Sequence, residues 1–342
     1  MKRTSSLLAI AVPILLGIAA LMLASPAFSY LNDFTAPSSG GAPFIDMWTG
    51  TPQWNLNPTL PPGKMTGTQA DLRNVVTASF NSWKTAPNVS NIVSGVVEGA
   101  DSNINNEQNS PAGINLVCFN CSGANFTTDG TLAITLTTSS IQGNQSVLTK
   151  ADIIFNPSPS GMCFIAELNA TSPPVPGTCP NPADNPQDLQ TVLTHEVGHF
   201  FGLDHSAVVA AMMFPFAPPL RTTLTYDDVA GISSTYPSPA PSVATGSISG
   251  TVTLGGAGVF GAHVFANSTT ASTPFSAFPI RKSPIGILTR PDGTYTINGL
   301  PQDTYTVYAE PLDLPVSNSD VSGYATAFGQ TSVQTNFTTR SH

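Results

Sequence analysis

THEVGHFFGLDH, residues Thr194 to His205, holds three of the chain's five histidines and a glutamate within twelve positions. The preceding PQDLQTVL carries Leu189, Val192 and Leu193 at helical spacing. Pro186 suits the first turn of such a helix, and Asp188 sets a carboxylate near its positive end. Residues i and i+4 of a helix share a face, so His195 and His199 project the same way, one turn apart. Two imidazoles at that spacing can grip one Zn²⁺, and Glu196 can reach a water on the metal without binding it. Gly202 accepts the left-handed conformation that ends a helix, which lets His205 return as a third nitrogen ligand. Three protein ligands leave one position open, as a catalytic site requires.

Ser206 follows, and HSAVVAAMMFPF places Met213 eight residues after His205, with Met212 the adjacent candidate. The whole pattern, H-E-x-x-H-x-x-G-x-x-H and then a methionine, resembles the metzincins and their matrixin branch in particular. YDDVAGISSTYP, with Asp227 and Asp228, is similar to the branch's last helix. ASFNSWKTAPNV, with Phe80 and Trp83, is similar to its first, and ADIIFN to one of its strands. The resemblance runs from about Pro52 to Tyr236. It implies an α+β catalytic domain over 52–236, with a twisted mixed sheet and a long active-site helix. It implies hydrolysis of peptide bonds by a zinc-activated water, with Glu196 as general base and Met213 as a structural floor. It further implies an extended substrate along an edge near Thr131–Thr137, and Phe214, Pro215 and Phe216 lining the pocket after the scissile bond. No cysteine lies between Tyr30 and Cys118, so a cysteine cannot cap the metal from a propeptide; Asp33 or Asp46 could do so instead. Calcium loops are not recognisable, and Asp101, Asp129 and Asp152 read as solvated carboxylates before they read as Ca²⁺ ligands.

The rest of the chain sets the context. Its 342 residues suggest two domains at roughly 100–200 residues each. Only 9% of residues are charged and the net charge is −9, which argues against a nucleic-acid partner. Lys2 and Arg3, an apolar run from about Leu7 to Ala24, and small residues at Ala27 and Ser29 read as a secretory signal over 1–29, with an uncleaved anchor as the rival. Export to an extracellular or envelope setting permits disulfides. Cys118, Cys121, Cys163 and Cys179 allow three pairings, and a four-cysteine zinc site is the weaker alternative.

Residues 30–51 look irregular. A helix is expected in TQADLRNVVTASFNSWKTAP, strands in TLAITLTTSS and KADIIFNP, and a long loop between Gly161 and Asp188. PSPAPSVATG, 237–246, reads as a linker. Beyond it Ile248, Val252 and Leu254 alternate, as do Tyr295 with Ile297 and Tyr305 with Val307, around an Asp292-Gly293 turn. TRPDGTYTINGLPQDTYTVYAEP resembles carboxypeptidase-regulatory-like domains, which implies an all-β, transthyretin-like sandwich over 247–312. Its role would be to bind a cell-surface or matrix component, or to space. His263 shows no partner in sequence and reads as structural. Residues 313–342 read as a tail that adds a strand or stays loose. The expectation is a monomeric secreted endopeptidase. Its rivals are a surface-binding protein with a vestigial protease domain and a zinc hydrolase of a non-peptide substrate.

Overall fold

The structure, a computed structural model, describes residues 32–37, 40–124, 126, 130–218, 220–271 and 273–341; the expected signal segment 1–29 and Asp129 lie outside the described residues. Short strands β1 (Phe34–Thr35), β2 (Phe44–Met47), β3 (Gln53–Asn57) and β4 (Met65–Thr66) precede helix α1 (Gln69–Lys84). Thr68 caps α1 and Asp71 reciprocates, closing a capping box. Leu72, Val75, Val76, Phe80 and Trp83 form its buried stripe, at most 1% exposed.

After α2 (Asn91–Ser94) and β5 (Val97–Glu98) come β6 (Leu116–Cys118), β7 (Ala133–Gln142) and β8 (Gln145–Phe155). The sheet runs β1-β2-β8-β6-β3-β5, with β7 antiparallel along the other side of β8. The pairs β2/β8, β6/β8, β3/β6 and β3/β5 are parallel, so the sheet is mixed. The interior strand β8 buries Ala151–Phe155 continuously, the pattern of a strand covered on both faces.

The stretch expected as one long loop, 161–188, contains two strands. β9 (Met162–Ile165) and β10 (Asn185–Asp188) pair in parallel, and β4 takes the far side of β9. A parallel pair separated by a Pro-rich excursion has no hairpin signal to betray it. The excursion is closed by a Cys163–Cys179 disulfide, and Cys118 pairs with Cys121. Pro186 therefore lies in β10, not in the first turn of the helix. α3 (Leu189–Phe200) starts after its cap, Asp188, and α4 (Tyr226–Thr235) follows. No described helix is long and apolar enough to cross a membrane.

The C-terminal part contains β11 (Thr245–Thr251), β12 (Thr253–Leu254), β13 (Ala257–Gly258), β14 (His263–Ser268), β15 (Ile285–Leu288), β16 (Thr294–Pro301) and β17 (Tyr305–Glu310). Helix α5 (Ser322–Ala327) and β18 (Arg340–Ser341) complete it. β11 pairs with β16, and a second sheet runs β15-β14-β17-β18, so the tail does add a strand. Leu254, expected to alternate with Ile248 and Val252 along one strand, is 50% exposed and lies in β12, which pairs with β13 as a separate ribbon. His263 has a partner after all: its Nδ1 lies 3.2 Å from Glu310 Oε1, across paired strands.

The stretch read as a linker is strapped down. Val243 N donates to Asn88 Oδ1 at 2.9 Å, Asn88 Nδ2 returns a bond to Val243 O, and Ser238 N donates to Asn88 O. α4 then serves both halves. Val229 and Ile232 share one apolar core with Val264, Ile285 and Ile297. Gly299, at φ +68°, presses against Ala230, where a Cβ would come within 2.9 Å of backbone.

Candidate metal centre

α3 is held rigidly before it offers any ligand. Asp188 Oδ1 accepts from Thr191 N and Oγ1, both at 2.6 Å, satisfying an orphan donor of the first turn. Trp83 Nε1 donates to Thr194 O, Trp48 Nε1 to Phe200 O, and Tyr236 OH to Phe201 O. Gly202 (φ +80°) ends the helix. Leu203 N reaches Gly198 O and Gly202 N reaches His199 O, the paired bonds of a Schellman turn. A Cβ on Gly202 would fall 2.2 Å from Asp46 O, so close backbone approach also demands glycine there.

The turn brings His205 back beside the helix. Ligand nitrogens of His195, His199 and His205 lie within 4.8 Å of one another, a convergence found at no other His, Cys, Asp or Glu group among the described residues. His195 Nε2 and His199 Nε2 are 3.1 Å apart. Tetrahedral Zn–N bonds of about 2.0–2.1 Å require ligand nitrogens roughly 3.3 Å apart, so the pair is spaced for one ion. Each ring's other nitrogen faces a main-chain carbonyl. His195 Nδ1 lies 2.9 Å from Met212 O, His199 Nδ1 2.7 Å from Leu203 O, and His205 Nδ1 3.4 Å from Asp320 O. Donation from Nδ1 leaves Nε2 with its lone pair toward the common centre. Burial, then the neighbouring His205, lowers the His195 pKa to about 3. Burial, with His195 and His205 beside it, also holds His199 well below the usual histidine range. Both are neutral near pH 7, as ligation needs. The donor set fits zinc.

Glu196 sits next to the triad without joining it. Burial raises its pKa to about 7, and Thr135 Oγ1 on β7 donates to its Oε2 at 2.7 Å. Thr135 was not singled out from sequence; only the sheet register brings it to Glu196.

Below the triad, Met213 is fully buried, and a Cβ on Gly198 would meet its sulfur at 2.2 Å. The x-position glycine of HEVGH thus lets the methionine floor approach the helix. Asp228 holds that floor: its carboxylate accepts from Met212 N at 2.9 Å, Met213 N at 3.2 Å and Thr225 N at 2.7 Å. Ser206 Oγ donates to Asp227 Oδ2 at 2.6 Å.

The triad opens into a cleft of about 690 Å³ whose lining includes residues 130–135, Thr137, Pro215 and Phe216. Phe214, expected to line the same pocket, is 6% exposed and packs instead with Phe260, Leu288 and Tyr324. Asp33 lines the cleft, while Asp46 accepts from Thr35 Oγ1 on β1. Burial, with Asp204 and Asp46 nearby, holds Asp33 well above the usual carboxylate range. Of the carboxylates considered for Ca²⁺, Asp101 pairs with Arg73. Asp152 is fully buried, bonded to Leu116 N and paired with Lys150, so it is not solvated.

Residues 120–237 match the matrixin family model. Metalloendoproteinase 1-MMP of Arabidopsis thaliana is 47% identical over 51 residues, 14% of this chain and 14% of that protein. Metalloendoproteinase 1 of Glycine max is 40% identical over 58 residues, 16% and 19% of the two chains. Karilysin of Tannerella forsythia is 39% identical over 49 residues, 14% and 10% of the two chains. The aligned stretch therefore spans less than a fifth of each of these relatives.

Proposed function

We propose that the chain is an exported, zinc-dependent endopeptidase. The convergence of three imidazoles beside a buried Glu196 that stays outside the triad carries this reading. His195, His199 and His205 would hold a zinc ion, each with its Nδ1 turned to a main-chain carbonyl. An ion held there would supply activation of a water and polarisation of the substrate carbonyl. Glu196 Oε takes a proton from the attacking water and returns it to the leaving nitrogen, and a pKa near 7 suits both transfers. Thr135 fixes the carboxylate's orientation through its hydroxyl. Among the described residues β7 pairs with β8 alone, and its other edge offers main-chain donors and acceptors to an extended peptide, which favours a peptide over a compact non-peptide substrate. Phe216, 48% exposed in the cleft lining, would contact an apolar side chain after the scissile bond.

Export by residues 1–29 is part of the proposal, supported by two disulfides and a chain of low charge. The test is a digest. The full chain incubated with an unfolded protein mixture should create new N-termini, enriched in apolar residues just after the cut. Hydrolysis of simple esters with no peptide cleavage would move the reading to a non-peptide hydrolase.

A further inference from the structure

Two of the three histidine ligands are oriented from within the matrixin-matching region, by Met212 O and Leu203 O. The third is not. His205 Nδ1 faces the main-chain carbonyl of Asp320, 115 residues downstream and beyond the second sheet's β17. We infer that the turn and helix at 317–328 belong to the metal centre, with Asp320 O as the positioning group for His205. The inference rests on the metalloprotease reading above.

Several observations show that this carbonyl is held in place. Asp320 Oδ2 accepts from Ser317 N at 2.8 Å and Ser317 Oγ at 2.7 Å, and Asp320 N donates to Ser317 O. Asn318 Oδ1 accepts from Val333 N at 2.8 Å, tying the turn to the next segment. α5 is then pinned to the strands: Tyr324 OH donates toward Leu288 O and Thr289 O, and its ring stacks on Phe260. The same helix touches the catalytic half at two more points. Gly323 faces Asp204, whose Oδ1 accepts from His205 N at 2.7 Å, and Phe34 of β1 packs edge-on against Tyr324. His205 is thus gripped on its backbone side by Asp204 and on its ring by Asp320.

Outer partners of metal-bound histidines set ring orientation and ligand basicity, and their loss commonly weakens metal binding about 10–100-fold. Here the partner is a carbonyl, so the lever is the side chain that sets it. Asp320→Ala in the full chain removes the Ser317 bonds. Zinc affinity, read by chelator competition at pH 7, should fall about tenfold or more. Asp320→Asn keeps one acceptor oxygen and should stay near wild type. Tyr324→Phe, which frees α5 from the strands without touching the turn, should fall between them. The deciding readout is a double-mutant cycle. In a His205→Ala background, Asp320→Ala should cause no further loss of zinc affinity. Equal zinc affinity of Asp320→Ala and wild type, or the same loss with and without His205, overturns the inference. A wild-type chain that binds no zinc fails the metalloprotease reading itself, a separate and recognisable outcome.

Discussion

A mid-helix glycine costs about 1 kcal/mol relative to alanine, so Gly198 between two ligand histidines asks for a reason. The reason is Met213, whose sulfur occupies the space a Cβ would need. Gly198→Ala should overpack the site and destabilise the fold by about 1–3 kcal/mol, read by chemical denaturation. An unchanged midpoint would mean that Met213 swings aside freely. Glu196 illustrates the complementary case of a buried carboxyl whose chemistry is set by its surroundings, burial and the Thr135 hydroxyl. The histidines, Glu196, Gly202 and Met213 were all legible as residue types at fixed spacing. Thr135, Gly198 and Asp320 were not, because each acts through a neighbour that only folding supplies. Gly198 alone left a trace in sequence, its poor helix propensity.

Among the elements, α3 shows where local pattern misleads. Pro186 is compatible with a helix start, but its backbone is used by β10 in a parallel pair with β9, and Asp188 takes over as the cap. The excursion between those strands is closed by Cys163–Cys179, 16 residues apart. Replacing both cysteines by alanine should lower stability by about 3 kcal/mol, the loop-closure value for that span. A thermal midpoint unaffected by the double substitution would show that β9 and β10 hold the excursion unaided. The methionine turn in the loop before α4 is held by the Asp228 carboxylate. Asp228→Ala strands the Met212 and Met213 N–H groups and should destabilise by about 2 kcal/mol or more, while also weakening zinc binding through the His195 carbonyl partner. α1, α3, α4, β7 and β8 could be anticipated because periodicity and caps are local. β4, β9 and β10 could not, since short parallel strands draw their pairing from distant chain.

At the scale of the molecule, the sequence suggested two domains on a linker, and the structure shows two halves that share a core across α4. Composition marked the change at residue 237 but could not say that Asn88 would grip the strap or that α4 would be covered from both sides. Asp227 lies in that junction, accepting from Ser206 Oγ on the catalytic side and Gly286 N on the β side. Burial, with Asp228 beside it, holds Asp227 well above the usual carboxylate range. The folded chain thus keeps a proton that the unfolded chain releases near pH 3.9, about the ordinary aspartate value. The stability it contributes is whole below that pH and is lost as pH rises through the folded value. Asp227→Asn removes the titration, so its thermal midpoint should fall less steeply above about pH 4 than that of wild type. Parallel curves would place the proton elsewhere.

The central claim, that three imidazoles and Glu196 form a hydrolytic zinc site, is tested most directly by metal removal and return with wild type and Glu196→Gln side by side. Wild type should lose peptide cleavage on chelation and regain it with one equivalent of Zn²⁺. Glu196→Gln should bind that equivalent as tightly and cleave at least about 100-fold more slowly. Cleavage that survives chelation, or a Glu196→Gln chain that cleaves at the wild-type rate, would contradict the account.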